Sequence, residues 1–195
     1  KLGSGAFATT FLVEEMKTSL EVKRKQLVMK RVPCKHMRAA NAALQEVKVL
    51  LSCHHEGIVG YHDFFLDTDG EENIVICLVM EFCDGGDLEA MLKRQSRRQQ
   101  SRHRGGAYGV RASSGGLPES EYMPLFAQIA LGLEYLHSQR VLHRDLKSQN
   151  IFLLGNGRLV LGDLGISKVL DGTLDMARTK IGTPYYMAPE IFRDE

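Results

Sequence analysis

The sequence predicts an α+β fold in two parts: a small antiparallel sheet carrying one helix, then a mainly helical second part. Two patterns carry this prediction. Up to residue 82, short apolar–polar alternations rich in β-favouring residues recur, broken by one helical stretch at 39–52. After residue 83, apolar residues recur at three- and four-residue steps, interrupted by a basic, glycine-rich stretch and one short hairpin. The expected units are 1–82 and 83–195, with 94–116 a basic flexible insertion.

Taking the elements in order, Gly3-Ser4-Gly5-Ala6-Phe7-Ala8 precedes the β-favouring run Thr9 to Val13, which predicts a hairpin around a glycine-rich turn. Gln26 to Val32 alternates as a strand and carries Lys30. From Ala39 to Ser52, Ala43, Val47, Leu50 and Leu51 mark one face of a helix that bears Glu46. Tyr61 to Phe65 and Ile74 to Phe82 are strands joined by the polar turn Asp67-Thr68-Asp69-Gly70. Leu88 to Lys93 reads as a short helix. Helix resumes from Pro118 to Arg140, with Phe126, Ile129, Ala130, Leu133 and Leu136 on its core face; Pro124 predicts a kink or a later start. Ile151 to Leu154 and Leu159 to Leu161 flank Gly155-Asn156-Gly157 as a hairpin with Asn150 at one end and Asp163 at the other, which brings those two residues together.

With 195 residues, 44% hydrophobic and 25% charged, the chain has material for a sizeable core, which excludes disorder throughout. The apolar run Ile74 to Met80 is far short of the roughly 20 residues that span a bilayer, so no membrane partner is expected. The chain opens at Lys1 with no charged-then-apolar leader and reads as an excerpt of something longer. Cys34, Cys53, Cys77 and Cys83 show neither paired nor metal-type spacing, which suits a reducing cytoplasmic setting, with nuclear or cytoskeletal association as the alternative. Cys53-His54-His55 lacks the second Cys/His cluster that zinc would need. The net charge of +1 is uneven: Lys93, Arg94, Arg97, Arg98, Arg102, Arg104 and Arg111 fall between residues 93 and 118 with no acid among them. With only Tyr108 as a stacking ring, this stretch reads as a solvated loop, although it is also the one candidate surface for nucleic acid.

The chemistry lies further on. His143-Arg144-Asp145-Leu146-Lys147-Ser148-Gln149-Asn150 supplies an Asp to accept a hydroxyl proton and an Asn to hold a metal ion; Asp163-Leu164-Gly165 and Ala188-Pro189-Glu190 follow in order. A charged turn would explain any one of these alone, but not the ordered set.

With Gly3, Gly5, Lys30 and Glu46 upstream, the chain resembles the eukaryotic protein kinases from end to end. Lys147 resembles the serine/threonine branch. Gln45-Glu46-Val47-Lys48-Val49-Leu50, Cys83-Asp84-Gly85-Gly86-Asp87-Leu88, Lys147-Ser148-Gln149-Asn150-Ile151-Phe152 and Gly182-Thr183-Pro184-Tyr185-Tyr186-Met187 are similar to the NIMA-related (NEK) kinases. Three departures stand out: Ala8 in place of a third glycine, Thr10 in place of the Val that would cover the adenine, and Leu164 in place of the usual Phe, expected to pack beneath the Glu46 helix near Leu50 and His143. The resemblance implies a bilobal fold and a protein serine/threonine kinase that uses ATP and Mg2+ on a protein substrate. Its implied ATP site comprises Leu2, Gly3, Ser4, Gly5, Lys30, Met80, Glu81, Cys83, Asp87 and Phe152. Asn150 and Asp163 would hold metal, and Asp145, Lys147, Asn150, Lys30 and Glu46 would be catalytic. Regulation would fall on Thr179 and Thr183, with Arg144 an unpaired charge awaiting a phosphate at Thr179. Further helices are implied after Glu190. The alternatives are a nucleotide-binding pseudokinase scaffold and an RNA-binding protein acting through 94–116.

Overall fold

The computed structural model describes residues 1–5, 8–16, 25–34, 37–71, 73–103 and 117–164, with Tyr186 and Pro189. Strands β1 (Gly3–Ser4), β2 (Thr9–Glu14), β3 (Gln26–Pro33), β4 (Tyr61–Thr68) and β5 (Ile74–Glu81) form one antiparallel sheet in the order β1-β2-β3-β5-β4. Interior strand β5 is apolar up to Glu81, and Val75 to Leu78 are buried in succession, as a strand covered on both faces requires. Helix α1 (Met37–Ser52) contributes Ala40, Ala43, Val47 and Leu50 to the same buried cluster as Val32, Ile76 and Leu78. Those positions are three or four residues apart, the expected amphipathic stripe.

A second, three-stranded sheet is made of β6 (Gly86–Asp87), β7 (Ile151–Leu153) and β8 (Leu159–Leu161). The predicted hairpin is present, and Gly157 takes the left-handed conformation its turn needs (φ 84°). Residues 57–60 join the two sheets: Val59 N–H donates to the Leu161 carbonyl (2.9 Å), Leu161 N–H to Gly57 (2.8 Å), and Glu81 N–H to Gly60 (2.8 Å).

Three expectations need correction. Helix α2 (Leu88–His103) does not stop at Lys93 but continues through ten residues assigned to the flexible insertion. Arg and Gln are good helix formers, and the glycines that would break the helix begin only at Gly105. Gln95 Nε2 also donates to Glu121 Oε2 (2.9 Å), tying the extension to the next helix. That helix, α3 (Glu119–Ser138), begins five residues before Pro124, so the proline did not delay its start. Its inward face keeps Ile129, Leu133 and Leu136 of the expected set but not Phe126 and Ala130. Gly132 and Leu136 are buried, Leu125, Ile129 and Leu133 are half-buried, and Phe126 is 62% exposed with Ala130 also outside. The reason is close packing at Gly132, where an added Cβ would meet the Gly57 carbonyl oxygen at 2.9 Å and Leu161 Cδ1 at 3.0 Å.

Candidate active site

The segment linking α3 to β7 is held by its own side chains. Lys147 Nζ donates to Asp145 Oδ2 (2.9 Å), and Asn150 Nδ2 donates both to the Asp145 carbonyl (2.8 Å) and to Asp145 Oδ2 (3.0 Å). Asn150 is buried at the end of the 3-10 turn Ser148–Asn150. Its amide therefore has a fixed direction, and the Asp145 carboxylate accepts from the Lys147 ammonium and the Asn150 amide. Arg144 has positive φ (63°) and is exposed. The structure corrects the expectation that it is unpaired, since it has an interaction partner.

Gly162 N–H donates to the Asn150 carbonyl (3.0 Å), which brings the residue after β8 alongside the residue before β7. Asp163 follows with φ 56°, a left-handed conformation that a short polar side chain tolerates. Its carboxylate contacts Lys30 Nζ from β3, so one ion pair joins the two sheets. His143 is buried nearby. Desolvation holds its pKa below the usual value, outweighing the nearby Asp145 and Asp163 charges, and neither ring nitrogen has a hydrogen-bond partner among the described residues. Leu164 is buried in the same cluster as Leu50 and Val47, as expected for a leucine beneath α1.

Sequence reasoning missed Tyr61. With Lys30, Val32, Ile76, Leu78, Met80, Asp163 and Leu164, it lines a cavity of about 10 Å3 behind the ion pair, the size of one water. Burial, and next the Asp163 charge, push the Tyr61 phenol far up, so it remains protonated. Its position as the first residue of β4 was visible in the sequence, but its neighbours across the fold were not.

Gly3, Thr10 and Lys30 form one row across β1, β2 and β3, so the glycine-rich turn lies two strands from the lysine. Leu2 N–H donates to Thr10 (2.8 Å), Gly5 N–H to Ala8 (2.9 Å), and the Ser4 and Thr9 hydroxyls lie 3.2 Å apart. Met80 and Glu81 end β5 and Cys83 follows. Asp87 and Phe152 face each other across β6 and β7. Asp87 Oδ1 also caps α2 by accepting from Ala90 N–H (2.7 Å), the usual N-cap bond to the third helical residue. Glu46 lies in α1, but its side chain is outside the described residues, as are Thr179, Thr183 and Glu190.

Among the described residues no cluster of three or more His, Cys, Asp or Glu forms a closed metal cage. His54 Nδ1 lies 3.0 Å from the Ser52 carbonyl, and His55 accepts from Gly57 N–H and stacks on Tyr135. Asp163 and Asn150 instead offer one carboxylate and one amide oxygen. Both are hard donors, and so few suit Mg2+, which keeps waters and substrate phosphates as its other ligands. Because Asn150 Nδ2 is committed to Asp145, the amide oxygen is the end left to face a cation.

A family model described as protein kinase domain matches residues 1–195, and the chain belongs to that family. The resemblance read from its motifs is thereby borne out. The chain is similar to serine/threonine-protein kinase Nek4 of Mus musculus (37% identical over 194 residues, 100% of this chain) and Nek5 of Homo sapiens (36% over 195 residues, 100%). Nek1 of Mus musculus is 38% identical over 192 residues, 98% of the chain. The chain spans 22%, 24% and 14% of those relatives' respective lengths. Among the described residues no helix is long and apolar enough to cross a membrane.

Proposed function

We propose that the chain carries the nucleotide site and catalytic loop of an ATP-dependent protein serine/threonine kinase, with residues 1–82 and 83–195 as its two lobes. The observation that carries this reading is the arrangement in which Asp145 is bonded by both Lys147 and Asn150 while Asp163 meets Lys30. Phosphoryl transfer asks the protein mainly for positioning and charge neutralisation, and these residues supply both. Asp145 orients the attacking serine or threonine hydroxyl and takes up its proton. Lys147 is already beside Asp145, where it can neutralise charge on the group in flight. Lys30 reaches the phosphates from β3, Asn150 and Asp163 offer oxygens to Mg2+, and Met80, Glu81, Cys83 and Phe152 frame the slot for adenine. Bound Mg2+-ATP supplies the transferable phosphoryl group. The pseudokinase alternative is disfavoured because each of these polar roles is filled. Four free thiols support a reducing, cytoplasmic setting, which cell fractionation tests.

Asp145→Asn tests the assignment. It keeps the shape and an acceptor oxygen but loses the proton-accepting carboxylate. In the full-length protein kcat for a protein substrate should fall about 100-fold or more, while ATP affinity stays within a few-fold. Retention of most activity would overturn the reading.

A further inference from the structure

Helix α2 is strongly basic on one side. From Leu88 to His103 it holds five basic residues, Lys93, Arg94, Arg97, Arg98 and Arg102, against the single acid Glu89, a net charge of +4. Lys93, Arg94, Arg97 and Arg98 are exposed, and at about 100° per residue they fall within an arc of about 140°. Leu88, Met91 and Gln95 are buried or half-buried and centre on the opposite side, where Gln95 meets Glu121 of α3. The basic face therefore points away from that acid and toward solvent.

The contacts this face makes are of the exchangeable kind. Lys93 Nζ pairs with Glu89 Oε1 (2.7 Å), but the lysine is 64% exposed. Arg94 donates to the carbonyls of Ala90 (3.3 Å) and Gly85 (3.4 Å), which leaves its charge uncancelled by either bond. Arg97 and Arg98 also have interaction partners, and at an exposed surface such contacts give way to an incoming carboxylate at little cost. Four cations within two helical turns are complementary to an acidic partner.

The helix also starts at the catalytic turn. Gln149, the neighbour of Asn150, hydrogen-bonds Glu89 in the first turn of α2. Along the helix axis, Lys93 lies about 6 Å and Arg98 about 14 Å beyond Glu89, the latter distance being covered by about four residues of extended peptide. A nucleic acid fits this face less well, because Leu88 to His103 contains no Phe, Tyr or Trp on which a base would stack.

We propose that Lys93, Arg94, Arg97 and Arg98 form a docking face for an acidic stretch of the protein substrate, close to the serine or threonine that meets Asp145. The four residues set specificity, and none touches the reacting atoms. The inference rests on the kinase reading above and names the class of substrate that site takes.

The test is steady-state phosphorylation by the full-length protein of two substrates, acidic dephosphorylated casein and myelin basic protein, with each protein and ATP varied in turn. The variant Lys93→Gln/Arg94→Gln/Arg97→Gln/Arg98→Gln removes four charges with a residue that favours helix about as well. Four exposed ion pairs together are worth roughly fourfold or more in affinity, so KM for casein should rise by at least that factor. KM for myelin basic protein and KM for ATP should stay in place. Added salt should raise KM for casein in the wild type and do so far less in the variant. Arg94→Lys/Arg97→Lys/Arg98→Lys, which keeps the charge, should behave as wild type. An unchanged KM for casein in the quadruple variant would overturn the proposal, as would equal shifts for both proteins or for ATP, the mark of a structural disturbance. A lower KM for casein would overturn it too, by showing that an acidic segment of the protein itself covers the face. Loss of poly(U) RNA binding with casein kinetics intact would assign the face to nucleic acid instead. A wild-type protein that binds Mg2+-ATP and phosphorylates neither substrate overturns the kinase reading and the docking face with it. Phosphorylation of myelin basic protein alone overturns only the face.

Discussion

Gly162→Ala should weaken nucleotide binding more than it weakens the fold. A Cβ at this position would lie 2.7 Å from Phe152 Cε2, 2.9 Å from Phe152 Cδ2 and 3.4 Å from Val59 Cβ. The Val59 contact is ordinary packing, but the Phe152 contacts are about 0.6–1.3 Å short of a carbon–carbon minimum, so the ring must move. Val59 is 2% exposed and cannot yield, whereas Phe152 is half-buried and borders the proposed adenine slot. In a closed core such overpacking costs about 1–3 kcal/mol of stability. Here the ring has an exit, so the cost should appear largely as a platform displaced into the ligand's space. At about 1.4 kcal/mol per tenfold, ATP affinity should fall on the order of tenfold, with only a small loss of thermal midpoint. Calorimetric titration with Mg2+-ATP beside thermal unfolding separates the two effects. A clear fall in midpoint with unchanged affinity would show that Phe152 is only a core residue and refute the reasoning.

Two further outcomes follow from burial and charge. Desolvation lowers the His143 pKa from 6.5, so the unfolded chain takes up the proton first as pH falls. Stability present above about pH 6.5 should therefore decline below it, and His143→Phe should flatten that acid-side slope in chemical denaturation series; an unchanged slope would contradict this. Burial, followed by the Glu81 and Asp84 charges, pushes the Cys83 thiol up to about 12. At pH 7.5 it should be almost entirely protonated, and iodoacetamide should alkylate it far more slowly in the folded protein than in guanidine. Rapid native labelling, read by peptide mass mapping, would place a thiolate there instead.

The parts legible in the sequence are those whose chemistry is local. The alternation of Gln26 to Val32 and of Ile74 to Phe82, and the apolar steps at Ala43, Val47 and Leu50, fix strand or helix because each pattern has its own period. Asp145, Lys147 and Asn150 lie within six residues, so their mutual bonding follows from one turn. The misreadings involve information from elsewhere in the chain. Which face of α3 turns inward is set at Gly132 by the Gly57 carbonyl and Leu161, neither of which can be read from the helix itself. The length of α2 is hidden from composition because a basic, polar stretch also suits a loop, whereas Arg and Gln favour helix and Gln95 has a partner in Glu121. Tyr61 escapes notice for the same reason: its significant neighbour is Asp163, distant in sequence.

The contact between Lys30 and Asp163 shows how these two kinds of information meet. Each residue stood out from its local segment, but their pairing depends on residues 57–60 holding β8 against the first sheet. The Lys30 side chain is only 13% exposed, where an uncompensated ammonium would be expensive, and Asp163 supplies the compensation. Asp163, at 40% exposure, still faces water and can exchange its partner. A site neutralised internally in this way disfavours a bare anion or a bare cation, because either would strand one charge. A ligand that brings negative phosphate for Lys30 and a divalent cation for Asp163 replaces both halves of the pair at once, which is the charge pattern of a metal-bound nucleotide.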